Sequence, residues 1–132
     1  MDKVELPDDI KSVMQNGLPA TVVTCSAEGI PNATIISQVY YVDPTHVALS
    51  FQFFNKTVRN VRENPHAYVC VSDLESNTKW VLQIHYDHSE SEGPTFDAMD
   101  MQIEAIASMT GMSGIFSLKA ADVYRVTSLE KV

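Results

Sequence analysis

The sequence predicts a mainly β fold: an antiparallel barrel of six or seven strands with two or three helices. Short runs rich in Val, Thr, Ile, Tyr and Phe recur along the chain, each bounded by Gly, Pro, Asn or Asp. Apolar residues at helical spacing occupy only a few segments. At 132 residues the chain has room for one hydrophobic core, so a single domain over 1–132 is expected. Many short strands with few helices favour a small closed sheet over a layered α/β arrangement.

The first helix is expected over 7–16. Ile10, Val13 and Met14 fall on one face, Asp8 and Asp9 suit its first turn, and Gly17 ends it. Ala20 to Ser26, rich in β-branched residues, forms the first strand, and Ala27–Pro31 a turn. Asn32 to Val42 reads as one long second strand. Asp43–Thr45 is the next turn, and His46 to Phe53 the third strand, completing an antiparallel meander.

A short helix then starts near Lys56 and ends before Pro65, because the residue ahead of a proline disfavours helical dihedrals. His66–Ser72 and Thr78–Tyr86 are the fourth and fifth strands. The polar run Asp87–Pro94 reads as an exposed loop. Phe96, Met99, Ile103, Ile106 and Ala107 then recur at helical spacing, which places a helix over Pro94–Met109 with proline in its first turn. Gly111–Gly114 breaks it. Phe116–Leu118 and Val123–Val126 supply the last strand material.

The net charge of −8 argues against a nucleic-acid partner, which requires a positive surface, and against docking on anionic membranes. A small phosphorylated ligand stays compatible, since it responds to the field of a few local groups. No apolar run approaches the ~18 residues that span a bilayer. The first residues lack the basic and apolar regions of a signal peptide, and Cys25 and Cys70 read as reduced core thiols, so a cytoplasmic location is expected.

The most pointed chemistry lies at Asn55-Lys56-Thr57, between the third strand and the short helix. A lysine and a hydroxyl beside the unpaired backbone N–H groups of a helix start can hold a phosphate. Arg59 and Arg62 add positive charge to the same helix. By spacing alone, a solvated basic helix whose charges contact Glu63 or neighbouring acidic surface is the commoner explanation of these residues.

Several pieces occur here in a characteristic order: Gly29-Ile30-Pro31 before the second strand, Asn55-Lys56-Thr57 after the third, then Asn60, Asn64-Pro65 and an apolar strand. This order resembles the FMN-binding split barrel of the pyridoxamine 5′-phosphate oxidase-like proteins, closely over residues 8–72 and more loosely beyond Thr78. The resemblance implies a split β-barrel that forms a homodimer, with FMN at the subunit interface. On matching positions, Lys56 and Thr57 would hold the flavin phosphate with Asn55 beside them. Ile35, Ile36, Ser37 and Gln38 would run along the ring or ribityl chain, and Ser50, Phe51 and Gln52 would face the same cleft. Trp80 and Gln83 would approach the partner's flavin.

The departures bear on activity. Thr34 and Val39 stand where the oxidases carry an arginine and a lysine, and an Arg-rich C-terminal motif is represented only by Tyr124-Arg125. Pyridoxamine phosphate oxidase activity itself is therefore not expected. The resemblance leaves two classes: a flavin-dependent oxidoreductase acting on a small molecule, or a non-catalytic ligand-binding, sensory or dimerisation domain. Heme or a deazaflavin stays open as the cofactor. The C-terminal half also looks like split-barrel domains fused to sensor modules in some bacterial proteins.

Other constellations have simpler readings. His85 and His88, with Glu90 and Glu92, are spread across a strand and a loop, so no metal site is expected. His46 and His66 at strand starts are ordinary solvated histidines. Met99, Met101, Met109 and Met112 suit core or dimer packing. Asp97 and Asp100 suit a solvated helix face. No Gly-x-Ser-x-Gly, His-Glu-x-x-His or phosphate-loop motif is present.

Overall fold

The computed structural model describes residues 4–14, 20–36, 39–51, 55–73, 76–109 and 120–131; the side chains of residues 50, 51, 55–58, 106, 107 and 109 lie outside that description. The elements follow in the order α1 (Asp8–Met14), β1 (Ala20–Cys25), β2 (Pro31–Ile36), β3 (Val39–Asp43), β4 (His46–Phe51), α2 (Asn55–Glu63), β5 (His66–Asp73), β6 (Thr78–Glu90), α3 (Pro94–Met109) and β7 (Ala120–Lys131). All seven strands pair antiparallel, in the order β2-β1-β5-β6-β7-β4-β3.

That order forces closure. Laid flat, the two outer strands would lie about 29 Å apart, six spacings of roughly 4.8 Å. Yet Ile36 ends β2 and Val39 begins β3, and three peptide links reach at most about 11 Å. The sheet must curl until its edges meet. The expected second strand, Asn32–Val42, is strand on both sides of Ser37 and Gln38, which lie outside the described residues; β2 pairs with β1, while β3 pairs with β4. Counted as one bent strand they make a ring of six, counted separately a sheet of seven.

The interior confirms the curl, because one buried cluster draws on every strand. It gathers Val22, Ile36, Val39, Val47, Val69, Leu82, Ile84 and Tyr124, among others. Ile10, Val13 and Met14 of α1 and Val61 of α2 join it, so the helical spacing of α1 reports a real apolar face. α3 lies outside the barrel, where Met99 and Ile103 pack on Ala48, Ala121 and Val123. The β1–β2 turn closes with Gly29 at φ +83°, a left-handed conformation that glycine adopts without penalty. Its backbone N–H donates to the Ser26 carbonyl at 3.0 Å.

Two further differences from expectation have physical causes. Asp87–Glu90 is strand rather than loop: after an irregularity between Tyr86 and His88 the ladder resumes, with Ser89 opposite Asp122 and Glu90 opposite Ala121. Polar side chains there suggested a loop, but the backbone groups are paired to β7. Cys25 and Cys70 are free thiols, half-buried rather than in the core, because both fall on the outward positions of their strands. Gly17, Phe53, Gly111–Gly114 and Phe116–Leu118 lie outside the described residues. No described helix is long and apolar enough to cross a membrane.

Leu82 is fully buried at the centre of β6, between β5 and β7. Leu82→Ala should therefore cost about 2–5 kcal/mol in denaturant unfolding. A loss below about 1 kcal/mol would mean that this position is not central to the packing.

Candidate functional site

α2 follows β4 and lies against β1 and β2. Its first turn is Asn55-Lys56-Thr57, as expected, and it ends ahead of Pro65. Its charge is distinctive. α1 opens with Asp8 and Asp9 and α3 carries Asp97 in its first turn, whereas the first turn of α2 contains no acidic residue. Carboxylates at a helix start compensate its positive end; α2 supplies none from its own first turn. Lys56, Arg59 and Arg62 also place three of the chain's nine cationic residues in this one helix. An otherwise acidic protein is locally positive here.

The helix is held on the barrel by buried groups. Val61 sits in the core. The Asn60 amide donates from Nδ2 to Thr24 Oγ1 at 3.1 Å, and the two residues are 3% and 2% exposed. Thr24 continues the inward row Ala20, Val22 of β1, so the bond links α2 to the barrel wall. On another wall, Asp122 is buried and accepts a hydrogen bond from the Ser89 hydroxyl at 2.7 Å. Burial pushes the Asp122 carboxyl above the usual range, partly offset by that bond and by the positive charge of Arg62. Thr24 and Asp122 were not singled out from sequence. The available signal was a polar residue in an inward row of a strand.

The other expected ligand residues separate by strand alternation. Ile36 is 2% exposed and faces the core, while its neighbour Ile35 is 69% exposed and faces outward. Trp80 is buried in the core with the Lys131 ammonium 5.2 Å from its ring centroid, whereas Gln83 is exposed on the outer face. The structure thus brings Ile35 and Gln83 to one face and puts Ile36 and Trp80 on the other. Ser50 and Phe51 end β4, paired with Ala121 and Ala120. Ser37, Gln38 and Gln52, and the side chains of Ser50, Phe51, Asn55, Lys56 and Thr57, lie outside the described residues.

The outer face of β2, β1, β5 and β6 carries several apolar side chains. The register aligns Ile35, Thr21, Cys70 and Val81 in one row, and Ala33, Val23, Tyr68 and Gln83 in the next. Ile35 and Tyr68, 69% and 47% exposed, are the large apolar side chains these rows leave open.

The four histidines all lie on β4, β5 and β6. His66 and His85 meet edge to face at 4.9 Å. His46 Nδ1 is 3.0 Å from the Asp43 carboxylate, and His88 lies 3.2 Å from Asp87 and 3.0 Å from Glu90. Burial pushes the Asp43 carboxyl up, but the Thr45 backbone N–H and the His46 contact outweigh it and hold it below the usual value. Among the described residues no group of three or more His, Cys, Asp or Glu side chains is arranged to hold a metal.

Comparison with known proteins now bears on this geometry. The family model for pyridoxamine 5′-phosphate oxidase matches residues 6–124. The chain belongs to the pyridoxamine 5′-phosphate oxidase-like family. Its fold is that family's split barrel. An FMN-binding protein from Syntrophomonas wolfei superposes with a TM-score of 0.78 at 16% identity, covering 92% of this chain and 82% of that one. An F420 reductase gives a TM-score of 0.67 at 13% identity, covering 95% and 98%. HutZ, a heme storage protein from Vibrio cholerae, gives 0.62 at 15% identity, covering 96% and 94%. At these identities the likeness shows the fold alone. No curated protein matches the chain in sequence.

The Glu90 bond, larger than the opposing effect of burial, and then Asp87 raise the His88 imidazole above its ordinary 6.5. A raised histidine contributes stability below 6.5 that is lost as pH rises through the folded value. His88 is half exposed, so solvent screening keeps that contribution small. By NMR titration its midpoint should lie above 6.5, and Glu90→Gln should bring it down toward 6.5. A midpoint indifferent to Glu90→Gln would show that this contact does not exist in solution.

Proposed function

We propose that this chain binds FMN as a homodimer in the cytoplasm and acts as a flavin-dependent oxidoreductase on a small-molecule substrate. The observation that carries the reading is α2: a helix start free of carboxylate, bearing Lys56 and Thr57, in a chain of this family. The residues present fit a phosphorylated cofactor. Three cations and one carboxylate, Glu63, sit in α2 of a chain with net charge −8, and the backbone N–H groups of its first turn have no partners within the helix.

In this reading Lys56 supplies a point charge and Thr57 a hydroxyl to the phosphate, with Asn55 alongside. FMN, when bound, supplies the redox chemistry; the protein supplies binding, orientation and exclusion of water. The open apolar face that carries Ile35, Tyr68 and Gln83 supports a second copy as the partner that completes the cleft. The free thiols of Cys25 and Cys70 suit a reducing compartment.

A non-catalytic ligand-binding role is the second reading. Val39, at the position of an oxidase lysine, is buried in the core and offers no charge to a cofactor. Val39 and Thr34 also weigh against pyridoxamine phosphate oxidation as the reaction.

Lys56→Ala should weaken FMN binding at least about tenfold, equivalent to ~1.4 kcal/mol. Fluorescence titration of the apoprotein measures it. Wild-type affinity in the variant would remove Lys56 from the phosphate site.

A further inference from the structure

We propose that Asn60 and Thr24 are positioning residues for the cofactor phosphate: their buried hydrogen bond fixes how the first turn of α2 is presented to it. The inference rests on the FMN reading above. Neither residue needs to touch the ligand.

The bond joins residues 36 apart in sequence, and both are almost wholly buried. Asn60 stands four residues after Lys56, about 6 Å along the helix axis at 1.5 Å per residue. Apolar contact through Val61 holds α2 against the core but allows the helix to roll, because such contacts are non-directional. A hydrogen bond has a preferred angle and length. An apolar pair of the same shape would stabilise the packing comparably, so what the polar pair adds is direction. One turn away, that direction sets where the backbone N–H groups of residues 55–57 aim.

The consequence is specific to the phosphate. Loosening the anchor should misplace the helix start while leaving contacts to the flavin ring intact. Riboflavin, which carries the same ring and ribityl chain without the phosphate, separates the two. FMN and riboflavin affinities are to be measured by fluorescence titration for wild type, Thr24→Val, Thr24→Ser and Asn60→Ser, with circular dichroism as the check on folding.

Thr24→Val keeps the shape and removes the acceptor. It should weaken FMN binding about fivefold, the scale of one net hydrogen bond, and leave riboflavin within about twofold. Asn60→Ser is too short to reach Thr24 and should act likewise, so either folded variant gives the result. Thr24→Ser keeps the hydroxyl and should retain the wild-type ratio of the two affinities. An unchanged ratio in a folded Thr24→Val or Asn60→Ser protein, or a shifted one in Thr24→Ser, overturns the positioning role alone. Wild-type protein that binds neither compound overturns the cofactor reading along with it.

Discussion

The tether between Ile36 and Val39 governs this molecule. Two residues join the outermost strands of a seven-stranded sheet, so the sheet closes or the chain breaks its own geometry. Closure creates an inside that every strand lines. It also leaves an outside with two different fates. One stretch is covered by α3 through Met99 and Ile103, and another, across β2, β1, β5 and β6, carries open apolar residues. The short helix α2 is then held against the wall by Val61 and by the Asn60–Thr24 bond.

The electrostatics follow from that placement. An acidic chain repels a free phosphate on average, yet α2 carries Lys56, Arg59 and Arg62 against Glu63 alone and has no carboxylate in its first turn. The other two helices use aspartates where α2 uses none. Buried polar groups of the barrel are paired: Thr24 receives the Asn60 amide, and Asp122 receives the Ser89 hydroxyl while the positive charge of Arg62 favours its carboxylate. A helix held by directed bonds can present its N–H groups at a fixed place, which phosphate binding requires.

Much of this was legible in the sequence. Ile10, Val13 and Met14 announced α1, the spacing from Phe96 to Ile103 announced α3, and Pro65 marked the end of α2. Those signals are local, and local signals survive folding. The change of partner along Asn32–Val42 was not legible, because strand propensity continues through it and only long-range pairing assigns β2 to β1 and β3 to β4. Asp87–Glu90 misled for a similar reason: its polar side chains obscured backbone pairing to β7. In the candidate site, the first turn of α2 was readable from charge and order. Ile35 was grouped with Ile36, although neighbours on a strand face opposite sides and only Ile35 is open. Thr24 could be seen as a polar residue in an inward row, but its pairing with Asn60 could not, because the two lie 36 residues apart.

A crystal structure of the protein grown with FMN tests the central claim most directly. The flavin phosphate should lie at Asn55-Lys56-Thr57, with a second copy of the chain closing the cleft over the face that carries Ile35 and Tyr68. A monomer with that face bare, or a flavin whose phosphate is bound far from the start of α2, would contradict it.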